Sequence, residues 1–209
     1  MKTAAAWAIA LFAGMGTAAA QPTGPYVAGH AGASGGDGGA AIVAGAAVGY
    51  MSPRRLAFEL EISVRPGLDI PTPDAVILAI YPAPTFEGRG RMVWLQTNAV
   101  ATVVDAGKLR AAVVAGGGAV NLHREITYSL PLPIFSGGIT LPIIPALPFP
   151  YESRTVTSAE TALALNAGGI VDYAVTRRLR VGVDARYEHA FFSDAWKTAR
   201  VAARAQWGF

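Results

Sequence analysis

The sequence predicts an all-β fold, an eight-stranded antiparallel up-and-down transmembrane β-barrel, and three observations carry that prediction. Apolar and polar residues alternate with period two in several segments, the spacing of a strand with unlike faces. After residue 20 no apolar stretch approaches the roughly 20 residues that a membrane helix needs. Yet 52% of the 209 residues are hydrophobic and only 15% are charged, against about 25% charged in ordinary soluble domains. A closed barrel reconciles the three, because it pairs every backbone group between strands while turning an apolar face to lipid.

Eight strands are expected in chain order. The first and second lie over residues 26–33 and 40–51, rich in Ala, Val and Gly. In the third, residues 56–64, Leu56, Phe58, Leu60, Ile62 and Val64 alternate with Glu59, Glu61 and Ser63. The fourth, residues 91–104, turns Gln96, Asn98 and Thr102 inward and Val93, Leu95, Ala99, Ala101 and Val103 outward. The fifth covers residues 109–123. In the sixth, residues 163–175, Leu163, Leu165, Ala167, Val171, Tyr173 and Val175 share one face, with Asn166 and Asp172 on the other. The seventh sets Leu179, Val181, Val183, Ala185 and Tyr187 against Arg180, Asp184, Arg186 and Glu188. The eighth, residues 197–209, sets Val201, Ala203, Ala205, Trp207 and Phe209 against Arg200, Arg204 and Gln206.

The connections alternate in length, as a membrane barrel requires. Ser52, Pro53 and Arg54, then Asp105, Ala106 and Gly107, then Thr176 and Arg177 make tight turns from residues that favour them. Between them lie outer connections over residues 34–39, 66–90, 125–158 and 191–195, of which 66–90 and 125–158 are expected to be long loops. Aromatic residues form a second pattern: Tyr26, Tyr50, Phe58, Tyr173, Trp207 and Phe209 fall at the turn end, and Trp94, Tyr187 and Trp196 at the other, as in belts at two lipid boundaries.

A soluble eight-stranded barrel alternates too, so the weak strands decide which face meets lipid. AAIVAGAAVGY and AAVVAGGGAV carry no charge on either face and would expose broad apolar bands to water. The charged face is therefore the lumen: Glu59, Glu61, Arg65, Asp172, Arg180, Asp184, Arg186, Glu188, Arg200 and Arg204. Eight strands enclose a space that side chains fill, so these groups are expected to pair with one another. Arg200 and Arg204 should find acidic partners across the lumen on the third and seventh strands.

The N-terminus agrees with export. Met1 and Lys2 precede an apolar run and the small residues Ala18, Ala19 and Ala20, which read as a signal peptide over residues 1–20 cleaved before Gln21. Residues 21–209 then form one barrel domain. The chain has no cysteine, so neither disulfides nor lipid attachment at cysteine stabilise or anchor it. A formal charge of +3 without a basic stripe gives no nucleic-acid surface. The histidines are scattered, no metal spacing is present, and no cofactor is expected.

The segments GPYVAGHAGA at 24–33, AGAAVGY at 44–50, RLAFELEISV at 55–64 and LNAGGIVDYAVTRRLRVGVDARYEHA at 165–190 resemble the small outer-membrane β-barrel domain family. That family includes opacity-type surface proteins and the OmpA-type transmembrane domain. The resemblance implies a Gram-negative outer membrane reached by signal-directed export, with outer-membrane lipid and lipopolysaccharide as surroundings. The closing strand, ending on Trp207 and Phe209, is what barrel-assembly machinery reads, and Tyr26, Tyr50 and Tyr173 share its belt. A structural or cell-surface interaction role without catalysis follows, with a small gated, porin-like channel as the alternative. A surface partner would engage the proline-rich connections 66–90 and 125–158. A lipid A-modifying enzyme is the remaining reading, and His189, Ser193 and Asp194 gather at an outer rim for it. His30 and His123 have no serine two residues away, and the paired His and Ser that such chemistry needs on one strand face are missing.

Overall fold

The computed structural model describes residues 23–37, 39–70, 85–131 and 151–209. The predicted leader, residues 1–20, and residues 71–84 and 132–150 of the proline-rich connections lie outside them. Eight strands run β1 (Gly24–Gly36), β2 (Gly39–Met51), β3 (Leu56–Asp69), β4 (Thr85–Ala106), β5 (Leu109–Pro131), β6 (Tyr151–Ala174), β7 (Leu179–Ala190) and β8 (Trp196–Gly208). Each pairs antiparallel with the next, and β8 returns to β1 through a ladder from Tyr26↔Gly208 to Gly36↔Thr198. The sheet is a closed barrel in sequence order.

The turns at one end are short and chemically specified. Ser52 accepts from Arg54 N through its Oγ at 3.1 Å and donates its own N–H to Leu56 O at 2.8 Å. Leu179 N donates to Thr176 Oγ1 at 2.9 Å. Gly107 closes the β4–β5 turn at φ +68°, a left-handed conformation that glycine adopts without a Cβ penalty.

At the other end the strands are longer than the alternation predicts, and this corrects the two loop assignments. β3 continues through Asp69, β4 starts at Thr85, β5 reaches Pro131 and β6 resumes at Tyr151. Much of 66–90 and 125–158 is therefore paired sheet. Thr127 meets Thr155 at 3.0 Å and Ser129 meets Ser153 at 2.8 Å, cross-strand hydroxyl pairs on the face opposite Ile126, Tyr128 and Val156. The register slips between Arg65 and Leu68, next to Pro66, which has no N–H to offer a ladder.

The faces separate as the period requires. Leu60, Ile62, Leu95, Val113, Leu165, Val171, Val183 and Val201 point outward and are exposed, an apolar wall that only lipid covers favourably. The wall ends where Arg91, Asn121, Thr161 and Lys197 take over the outward positions.

The candidate site is an ionic lumen

Inside, apolar groups gather at two heights, with most of the charge between them and a further charged cluster beside the one at the turn end. Near the turn end, Tyr26, Met51, Ala57, Val100, Ala112, Val114 and Ile170 pack together. Near the outer end, Leu68, Ile70, Met92, Trp94, Val120, Leu122, Phe192 and Trp196 form a second cluster. β3, β7 and β8 carry the charges between them because their even or odd inward positions are polar along most of their length.

The middle layer joins strands that are not neighbours. Arg200 on β8 donates from Nη1 to Glu61 Oε1 on β3 at 2.7 Å. Arg186 on β7 holds Asp184 through Nε at 2.8 Å and Nη2 at 2.7 Å, while its Nη1 lies 2.8 Å from Glu61 Oε2. Arg204 pairs with Glu59, which also accepts from the Tyr26 hydroxyl at 2.8 Å. Asn98 donates to Glu61 at 3.1 Å and accepts from Asn166 at 2.8 Å, so amides carry the network to β4 and β6. Toward the outside, Arg65 pairs with Glu188, donates to Thr198 Oγ1 at 2.8 Å and stacks over Trp94 at 4.9 Å. Toward the turn end, Asp172 receives Arg180 at 2.9 Å and Arg110 Nε at 2.9 Å; Arg110 also reaches Gln206 at 2.9 Å.

All ten charged residues expected in the lumen are buried there. Arg110 is a member the alternation missed, because the uncharged run that follows it hides it at the foot of β5. Its signal was its position: it stands directly opposite Asp172 across the ladder. His30 is a second omission, with Nε2 at 3.3 Å from Arg200 and 3.6 Å from Glu61. Six buried guanidinium groups face five buried carboxylates, so the layer is one charge from neutral and compensates itself. That balance is what a low-dielectric interior demands.

Three belt assignments are corrected. Tyr26 is buried inside and holds Glu59, where a belt residue would face lipid. Its ring lies against Gly49, where a Cβ would stand 2.5 Å from Tyr26 Cζ, so only glycine leaves room. Trp94 and Trp196 are likewise inside, as part of the outer apolar cluster. Tyr50, Phe58, Tyr173, Tyr187, Trp207 and Phe209 do face outward, and Lys108 sits 5.9 Å from the Tyr173 ring at the boundary. At the rim, His189 stands edge-on to Phe191 at 4.5 Å, and Ser193 is tied through its N–H to Glu160 at 3.2 Å.

No family model matches the chain, and no curated protein matches it. Among solved structures it is similar to a major outer membrane protein from Thermus thermophilus, at 15% identity over 88% of this chain and 99% of that one, TM-score 0.52. It is also similar to Neisserial surface protein A, at 14% identity over 88% of this chain and 96% of that one, TM-score 0.50. At such identities the likeness is one of fold, and the fold is that of the small eight-stranded outer-membrane barrels.

Proposed function

We propose that this chain is an integral outer-membrane protein of a Gram-negative cell, with a structural or cell-surface interaction role and no catalytic activity. The observation that carries this reading is the sealed lumen. Its charges are paired across the barrel, apolar side chains led by Trp94 and Trp196 close the outer end, and at the turn end Tyr26 and Met51 pack beside the paired Arg110, Asp172 and Arg180. Such an interior supports the wall instead of offering a path. The exposed belt Tyr50, Phe58, Tyr173, Trp207 and Phe209 supports a lipid boundary at the turn end, with Tyr187 the outward aromatic toward the other. Lipid and lipopolysaccharide are the expected surroundings, and assembly machinery would engage the final strand. The long outer strands of β4, β5 and β6 supply a surface for a partner.

A gated channel is the second reading, favoured by one observation, the continuous polar column from Asp172 to Glu188. Opening it would require both apolar clusters to part.

The placement is tested by labelling, which the cysteine-free chain makes clean. Glu87→Cys should react with an impermeant maleimide on intact cells, and Thr176→Cys only after the outer membrane is permeabilised. Labelling of Thr176→Cys on intact cells would overturn the proposed placement.

A further inference from the structure

β5 and β6 stay paired in one unbroken register from Leu109↔Tyr173 to Pro131↔Tyr151. β7 does not follow them. Its ladder with β6 begins at Ala164↔Ala190, and a last hydrogen bond runs from Phe191 N to Leu163 O at 2.9 Å. Among the described residues, the β6 backbone from Glu152 to Ala162 has no ladder partner on that side. Residues Glu152 to Ala159 are exposed on both faces as well.

The hydrogen-bonding phase of this edge is fixed. Leu163 O points to the β7 side, whereas Ala174 N points the other way, to Lys108 O at 2.7 Å. In an antiparallel strand alternate residues address alternate neighbours. Ser153, Thr155, Thr157, Ala159 and Thr161 therefore present their N–H and C=O groups outward. The sequence ESRTVTSAETA has neither proline nor lysine, its register with β5 has no bulge, and its three charges, Glu152, Arg154 and Glu160, are of both signs.

We propose that this edge is a self-association surface: it pairs antiparallel with the same edge of a second copy, Thr157 opposite Thr157, and joins barrels held in two facing membranes. The charges select the register. With Thr157 on the twofold axis, Arg154 of each copy stands opposite Glu160 of the other, Ser153 opposite Thr161, and Glu152 opposite Ala162. No like charges meet. Glu160 already gathers Arg124 Nη2 at 3.3 Å and Ser193 N at 3.2 Å, so its carboxylate is held in place on the strand. A parallel arrangement between neighbours in one membrane, related by a twofold axis along the strands, would set the outward N–H of Thr157 against the same N–H of the other copy, so no ladder forms. An antiparallel pair needs a twofold axis across the sheet, which inverts the second barrel and places it in an opposing membrane. This deepens the surface-interaction role proposed above and rests on it for the outward placement of β6.

Two populations of proteoliposomes, differently labelled and each carrying one variant of the full chain, test this in trans. The parent should tether vesicles. Arg154→Glu alone and Glu160→Arg alone should each reduce tethering about tenfold, because both create two like-charge pairs. Mixing the Arg154→Glu vesicles with the Glu160→Arg vesicles should restore it between populations, since both pairs then attract. Under oxidation Thr157→Cys should form covalent dimers, with Cα atoms about 5.5 Å apart across a hydrogen-bonded pair, and Glu152→Cys should not. Absence of tethering by the parent, failure of the mixture to recover, or equal cross-linking at Glu152 would overturn the proposal. Each of these results leaves the maleimide test of placement unaffected.

Discussion

Arg200 and Glu61 meet at 2.7 Å although their strands, β8 and β3, are separated by β1 and β2 in the ring. The bond therefore spans the lumen and ties opposite walls together. Arg200→Met leaves Glu61 buried with fewer cations, and losing one partner of a buried pair costs about 3–5 kcal/mol. Urea titration of the refolded protein in lipid vesicles should show a loss of that size. The double variant Arg200→Met with Glu61→Met should lose less than the two single losses combined.

Tyr26 takes part in the same network through one hydroxyl, donated to Glu59 at 2.8 Å. Tyr26→Phe keeps the ring against Gly49 and removes only that donor. A loss of about 1–3 kcal/mol is expected, the cost of leaving a charged buried acceptor short of a bond. A belt tyrosine in contact with lipid headgroups would show almost no change in the same titration.

Gly49 is the matching half of that contact. Gly49→Val places a branched side chain where the Tyr26 ring lies, so the ring must leave its rotamer or the strand must shift. Overpacking of this kind costs about 1–3 kcal/mol. Tyr26→Ala should relieve part of the penalty in the double variant, and purely additive losses would count against the contact.

Val183 lies on the outward face of β7, half-exposed, midway between Leu179 and Tyr187. Val183→Arg puts a charge near the middle of the lipid wall and should cost about 2–4 kcal/mol. Ala159→Arg, exposed on the outer hairpin, should stay within about 0.5 kcal/mol of the parent. Equal effects at the two positions would argue that the wall does not face lipid.

Much of this arrangement was legible because period two reports the face of a strand directly. Glu59, Glu61, Asp184, Arg186, Arg200 and Arg204 could be placed inside from alternation alone. The aromatic belts depend on height along the strand, which says nothing about face, and Tyr26, Trp94 and Trp196 lie inside. Parity held the answer: Trp196 shares its face with Arg200 and Arg204, and Trp94 shares its face with Gln96 and Asn98. Tyr26 likewise alternates in step with His30. The outer extent of β5 and β6 was less legible, because Thr127, Ser129, Ser153 and Thr155 are polar on a strand that has left the membrane. The alternation does continue there, Ile126 and Tyr128 against Thr127 and Ser129 and Val156 between Thr155 and Thr157, but it is short and interrupted by prolines, and pairing across the hairpin defines the sheet. The register that makes Arg154 and Glu160 complementary is a property of two copies and has no trace in the periodicity of one.

The lumen is filled and closed, its charges neutralising one another and its two ends packed by apolar clusters. Single-channel recording of the refolded full chain in a planar bilayer tests it most directly. A silent membrane at moderate voltage is the predicted record, and reproducible unitary openings would contradict it.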